Sequence, residues 1–305
     1  MGKCLKENPC ELEALYEEPM ARRCTFRVGG PADCLLRPSG EGFPAFAASL
    51  LSRVRDEGIP VFILGGGANI VVGDSGIRGV VLDTSGWVGC ERLGEGLLRF
   101  RSGTSMDEAA LTAARAGLSG LEFLAGMPGS IGGAVWMNAR CYGREAADAL
   151  EETEGIDFSR NPPARFRLPK NPAEFGYKRS PFQARKALIL SASFRLESAD
   201  AGAIRAKMSE YRRDREDKGH YRYPCAGSVF KNNPAFGAPT GKIIDGLGLR
   251  GLQIGGAQVA PWHGNIIVNT GGATAADIRS LTDELAAKVR SATGFELEPE
   301  IIFLP

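Results

Sequence analysis

The stretch Tyr223 to Gly237, YPCAGSVFKNNPAFG, sets Ser228 behind Ala226 and Gly227, the setting of an accessible hydroxyl in a turn. A nucleophilic serine needs a base, and the chain holds two histidines, His220 and His263. Neither lies beside an acidic residue that would orient it, and no strand, GxSxG elbow and helix surround Ser228, so a serine hydrolase is disfavoured. The other chemistry-bearing pattern is glycine: the 40 glycines cluster in RVGGPAD, LGGGANIVVGDSGIRG, GMPGSIGGAVWMN and DGLGLRGLQIGGAQV. Glycine clustered between apolar runs marks backbone that approaches something closely or turns with positive φ.

Two glycine motifs fail on context. GLGLRG at 246–251 matches GxGxxG but is followed by a strand-like run rather than a helix. GAPTGKI is one residue short of a phosphate-binding loop and has Ile243 where Ser or Thr would bind magnesium. LGGGANIVV and MPGSIGGAVWMNA are stronger. In the first, Gly65, Gly66 and Gly67 follow a buried apolar run, so backbone N–H groups can converge on an anion, and Asn69 is placed to hydrogen-bond the loop backbone. Gly129, Ser130, Gly132 and Gly133 offer the same from a second loop. Each alone reads as a tight turn; together they favour a large phosphate-bearing cofactor.

CTFRVGGPAD, LGGGANIVV, GMPGSIGGAVWMNARCYG, FGYKRSPFQ, CAGSVFKNN, LQIGGAQVAPWHGNIIVN and FELEPEIIF, in this order, resemble the UDP-N-acetylenolpyruvoylglucosamine reductases, from about Thr25 to Phe303. The resemblance implies an α+β chain whose FAD-binding fold is of the vanillyl-alcohol oxidase / p-cresol methylhydroxylase type, with a C-terminal α+β substrate domain. It implies noncovalent FAD, NADPH as reductant and a UDP-sugar enolpyruvyl ether as substrate, reduced to UDP-N-acetylmuramate for peptidoglycan. FAD contacts carry over to Gly65, Gly66, Gly67, Ala68, Asn69, Gly129, Ser130, Gly132, Gly133 and Asn138. Ser228 becomes the proton donor, Glu300 rather than Glu298 the catalytic glutamate, and Tyr177, Lys231, Asn232, Gln258 and His263 substrate contacts. Asn265 falls in the same motifs. A His beside Trp262 is by itself more often structural.

The chemistry agrees with these roles. Hydride addition to an enol ether conjugated with a carboxylate builds enolate charge, which a cation or acid must stabilise. Lys178 and Glu300 are the candidates, and the apolar run EIIFLP is a setting that raises a carboxyl pKa. A serine is a weak acid, and Lys231, three residues on, is a cation that would help it. The chain departs from the family at three points. Lys178 stands at the usual arginine, so either Lys178 acts or Arg179 replaces it by a one-residue shift; lysine offers no bidentate fork. Ala68 replaces a serine. Arg140 and Cys141 stand where small residues are usual. The stretch after ASFRLES carries no long insertion, which implies the form without an extra tyrosine loop.

Around these residues the chain is ordinary for a globular protein: 305 residues, 43% hydrophobic, 24% charged. A net charge of +1 gives no global field for nucleic acid or an acidic membrane. Seven cysteines without CxxC or histidine partners argue against disulfides or zinc and for a reducing cytosol. The polar N-terminus lacks the apolar core of a signal peptide and no run approaches ~20 apolar residues, so a cytoplasmic chain is expected; a monomer is a separate expectation. The expected organisation is a leader over 1–24, an FAD-binding region over 25–200 split near 85, and a substrate domain over 201–305 whose final strand returns to the FAD region.

The positioning elements follow from periodicity. A helix ends at Gly58, IPVFILGGG is a strand entering the glycine loop, and GVVLDTS and LLRFRSGTS are strands. Ser105 with Glu108 caps a helix closed by Gly117. ALILSASFRLES is an alternating strand, 200–219 a charged helix, and Thr274 caps a helix with Ile278, Leu281, Leu285 and Val289 on one face. FELEPEIIFLP reads as a closing strand. Asp83 and Asp107 read as capping or surface residues. Two further rivals stay open: a flavin oxidase of the same fold, for which Cys141 is a covalent attachment candidate, and a nonenzymatic nucleotide-binding module.

Overall fold

The computed structural model describes residues 10–305. The described residues divide into two compact units that interleave in sequence: the first takes 10–16, 34–66 and 79–212, the second 17–33, 67–78 and 213–305.

In the first unit, α1 (Phe43–Asp56) buries Phe43, Ala47, Leu51 and Val54 at helical spacing. The strand Val61–Leu64 follows and pairs in parallel with residues 80–83. Asp83, nearly buried, accepts from Ser85 N at 2.8 Å. A five-stranded antiparallel sheet runs Ala164–Pro169, Leu150–Asp157, Ala187–Arg195, Leu97–Arg101, Cys90–Gly94. The alternation expected of Ala187–Arg195 does not give one wet face. It is the middle strand and is buried from Leu188 through Phe194, with Leu188 and Leu190 in one apolar cluster and Ile189, Ala192 and Phe194 in another. On this sheet sits α3 (Ile131–Met137), and α2 (Met106–Arg115), where the Ser105 hydroxyl accepts from Glu108 N at 3.1 Å, joins the same apolar cluster. The short α4 (Ala146–Ala149) and the charged α5 (Ala201–Asp217) follow. Asp107 accepts from Gly126 N at 2.8 Å and pairs with Arg212.

In the second unit, α6 (Thr240–Gly246) precedes a three-stranded antiparallel sheet, Gln253–Ile254, Ala257–Val259, Ile267–Asn269. Then comes α7 (Ala275–Thr293), whose face of Ile278, Leu281, Leu285 and Val289 is fully buried. Thr274 and Asp277 form its capping box, and Asp74 accepts from Ala275 N and Ala276 N. Segment 67–78 thus belongs with the C-terminal part: Gly73 N donates to Pro305 O at 2.9 Å, and Ile70–Val71 pairs in parallel with Ile302–Phe303. The closing strand is limited to Ile302–Phe303. Before it, Pro299, which has no N–H to give a ladder, makes an isolated bridge with Phe230. No helix among the described residues is long and apolar enough to cross a membrane.

Candidate active site

The strand Val61–Leu64 delivers Gly65 and Gly66 against the second glycine loop of the same unit. A Cβ on Gly66 would stand 2.5 Å from Gly129 Cα and 2.7 Å from its carbonyl carbon; one on Gly65 would stand 2.7 Å from Ser130 Oγ. Gly132 approaches Ser102 Cβ as closely, at 2.8 Å. The space left by these side chains is therefore filled by protein, where the sequence suggested a ligand. Ser130 is buried and its hydroxyl accepts from Gly133 N at 3.3 Å, capping α3. Gly133 by contrast has room, with Ser130 Oγ at 3.5 Å.

What remains for an anion is backbone. Among the described residues no backbone carbonyl meets the N–H groups of Gly67 and Ala68. Within the second unit, Gly67 has φ +60 and its carbonyl accepts from Thr25 N at 3.0 Å. The Thr25 hydroxyl is buried and unpartnered. Unpaired donors beside a glycine turn suit the phosphates of a dinucleotide. Thr25 was not singled out by sequence, although it opens a conspicuous motif. Asn69 donates from Nδ2 to Glu300 O at 2.9 Å, so it ties the loop to the C-terminal segment.

Lys178 sits in a four-residue turn of the first unit. Gly176 and Arg179 exchange backbone bonds of 3.1 and 3.0 Å, leaving Tyr177 and Lys178 at the corner. Lys178 has φ +55, a left-handed conformation costing ~1–2 kcal/mol for an L-residue. The turn is held from three sides: Gln183 Nε2 donates to Lys178 O at 3.0 Å, Ser180 Oγ to Trp136 O at 2.6 Å, and Asn138 Nδ2 to Gly176 O at 2.8 Å. Asn138 is fully buried in the left-handed conformation at the end of α3, and its Oδ1 accepts from Ala147 N at 3.0 Å. With both ends of its amide bound to protein, it positions the turn. Lys178 is half-buried; the exposed Arg179 folds back over Gly176.

Ser228 lies on an extended segment of the second unit between two others. Ser228 bridges to Ile266 on one side, and Glu300 N donates to Val229 O at 2.7 Å on the other. Asn265, nearly buried, fixes the segment by accepting from Phe230 N at 2.9 Å and donating to Phe230 O at 2.8 Å. The fold thus brings Ser228 and Glu300 onto adjacent segments although 72 residues separate them. The two glutamates of LEPE differ: Glu300 is 8% exposed, while the Glu298 side chain is 70% exposed and pairs with the Lys231 ammonium.

Residues 219–304 match the family model described as the C-terminal domain of UDP-N-acetylenolpyruvoylglucosamine reductase, and residues 47–157 match an FAD binding domain. The UDP-N-acetylenolpyruvoylglucosamine reductase of Treponema denticola is 40% identical, covering 94% of this chain and 92% of the relative; that of Heliobacterium modesticaldum is 38% identical, covering 94% and 89%. The crystal structure of the enzyme from Thermus caldophilus superimposes with a TM-score of 0.77 at 32% identity, covering 97% of this chain and all of that one. The chain belongs to the UDP-N-acetylenolpyruvoylglucosamine reductase family. The α+β class and the FAD-binding domain expected from sequence hold, and both glycine loops lie inside the FAD-binding match.

Within this reductase fold the polar residues of the C-terminal part separate by what they touch. Asn232 is exposed and its Oδ1 accepts from Thr240 N at 2.9 Å, fixing the start of α6. Gln258 donates to Gln253 Oε1 at 3.0 Å on the neighbouring strand. His263 accepts from Asn265 N at Nδ1, 3.1 Å, which requires a neutral ring. Burial lowers its pKa, with Asp245 acting in opposition. His263 is a structural residue holding Asn265, and with that nitrogen engaged it is not the base of a serine hydrolase. His220 is pushed down to about 4, by burial first and then by the Arg215 charge.

Proposed function

We propose that this chain catalyses the NADPH-dependent, FAD-mediated reduction of UDP-N-acetylglucosamine enolpyruvate to UDP-N-acetylmuramate, a step of peptidoglycan precursor synthesis, as a cytoplasmic monomer. The observation that carries the reading is the pairing of the Ser228 segment with that of the buried Glu300, in a chain of this reductase family. FAD, when bound, supplies the redox relay between the nicotinamide and the enolpyruvyl double bond. The protein's part is to bind the anionic substrate and handle charge and proton. Lys178, or Arg179, places a cation at the substrate carboxylate, where negative charge grows during the reaction. Glu300 stabilises the same enolate. The Ser228 hydroxyl then protonates the adjacent carbon, a step available to a weak acid because an enolate carbon is strongly basic. Gly66, Gly67, Ala68 and Thr25 hold the cofactor phosphates, while Asn69 and Asn138 hold loops. Residues 201–305 supply the substrate-binding part; there Lys231, paired with Glu298, contributes less charge than its sequence position suggested.

The test separates the half-reactions under anaerobic conditions. Purified protein should be yellow and release FAD on acid precipitation. Ser228→Ala should keep flavin reduction by NADPH and lose more than about a hundredfold in reoxidation by the enolpyruvyl substrate, the scale of a positioned acid. Equal losses in both half-reactions would refute the proton-donor role.

A further inference from the structure

Arg140 lies in the chain where the motif usually carries a small residue. It opens a two-stranded hairpin in which Cys141 faces Arg144 and Arg140 faces Glu145. The corner is Tyr142 and Gly143, with φ +53 and +76. Two positive φ values in succession make the mirror-image turn that suits tight hairpins and favours Asn-Gly. A tyrosine there is strained, and the structure compensates: the Tyr142 ring stacks on Tyr211 at 3.9 Å and 7°, and its hydroxyl donates to Tyr211 O at 3.1 Å. The hairpin is thereby fixed in one direction.

That direction carries the Arg140 guanidinium over the Tyr177 ring, 5.5 Å from its centroid, within cation–π range. The cross-strand Glu145 reaches Arg140 at 4.0 Å, the outer edge of an ion pair. Two residues earlier, Asn138 already grips Gly176 O. One three-residue segment therefore holds the turn of residues 176–179 twice, by its backbone and by its corner ring. Lysine at 178 has a flexible stem and no fork to align it, so the direction of its charge depends on how firmly the turn is held.

We propose that Arg140 is a positioning residue: by capping Tyr177 it fixes the corner from which Lys178 projects toward the substrate carboxylate. This rests on the function proposed above. The test has a readout independent of activity. In protein labelled with 3-fluorotyrosine, the chain gives six tyrosine resonances, and the one absent from Tyr177→Phe is that of Tyr177. Arg140→Ala should shift this resonance, and Arg140→Lys, which keeps the cation, should shift it less. In the substrate half-reaction, Arg140→Ala should lower the reoxidation rate about two- to fivefold, the scale of an exposed cation–π contact, without changing flavin reduction by NADPH. Tyr177→Leu should lose at least as much, and the double variant no more than Tyr177→Leu alone, because Arg140 acts only through that ring. An unmoved Tyr177 resonance overturns the proposal, as does a moved resonance with unchanged reoxidation or losses that multiply. If the wild-type protein does not turn over the enolpyruvyl substrate, the functional reading fails, and the resonance still decides whether Arg140 holds Tyr177.

Discussion

Gly66 and Gly133 belong to the two glycine loops, yet the structure gives them opposite tolerances. A Cβ on Gly66 would lie 2.5 Å from Gly129 Cα, about an ångström inside ordinary contact, and what it meets is backbone that cannot rotate away. Forcing the loops apart should cost ~1–3 kcal/mol, the usual penalty of overpacking. Gly133 lies inside α3, its added Cβ would find Ser130 Oγ at 3.5 Å, and alanine there removes a helix penalty of ~0.5–1 kcal/mol. The two alanine variants should therefore differ by roughly 1.5–4 kcal/mol in unfolding free energy, with Gly66→Ala below the wild type and Gly133→Ala at or above it. Urea unfolding of FAD-stripped protein measures this directly, since the midpoint shifts at constant slope if only stability changes. Equal stability of the two variants would refute loop contact as the reason for Gly66. FAD content of the unstripped proteins then reports where the cofactor passes: a stable Gly133→Ala protein that has lost its flavin marks that backbone as cofactor-facing.

The cation question is settled by Lys178→Ala and Arg179→Ala in the substrate half-reaction: the half-buried Lys178 should cost at least tenfold more than Arg179, and the reverse order would put the role on Arg179. Glu298→Gln should change stability by less than ~1 kcal/mol, because it breaks only an exposed pair, and should leave turnover near wild type, while Glu300→Gln should abolish substrate reduction with FAD still bound; similar losses in both would refute the assignment. His220 is held neutral to about pH 4 in the folded protein, whereas the unfolded chain protonates it near its ordinary value of 6.5. The unfolded state therefore binds more protons in that window, and the urea midpoint should fall as pH drops from 6.5 toward 4. His220→Asn should flatten that fall, and an unchanged slope would exclude His220 as its cause.

What the sequence revealed was what local rules govern. The buried face of α7, the Thr274 and Ser105 caps and the strand entering the first glycine loop follow from periodicity and capping chemistry over a few residues. The partition into units did not follow, because it is set by bonds such as Asp74 to Ala275, about two hundred residues apart, which leave no trace in either neighbourhood. Gly65 and Gly66 show a subtler limit: a glycine announces close approach but not what approaches, and here the neighbours are the other loop's Ser130 hydroxyl and Gly129 backbone. Asn138 is a related case for amides, a polar residue in a cofactor-like motif whose Nδ2 donates to Gly176 O and whose Oδ1 accepts from Ala147 N.

The position of Lys178 joins these lines. Read as a sequence, YKRS poses a choice between two cations, because one residue of register separates them. In the structure the choice becomes conformational. The paired backbone bonds of Gly176 and Arg179 put Lys178 at a corner in a left-handed backbone that only a well-braced turn sustains, while Arg179 lies against Gly176. Strain of this kind persists where surrounding contacts over-determine it, and here Asn138, Ser180 and Gln183 all bond the turn or its flank. A lysine lacks the fork that would let an arginine align itself on a carboxylate. A braced corner is a physical substitute for that fork, since it fixes where the stem begins. Loosening the brace should therefore weaken a lysine-bearing site more than an arginine-bearing one. Asn138→Ala should accordingly lower substrate reduction less in a Lys178→Arg background than in the wild type, and equal losses in the two backgrounds would show that the brace serves the fold alone.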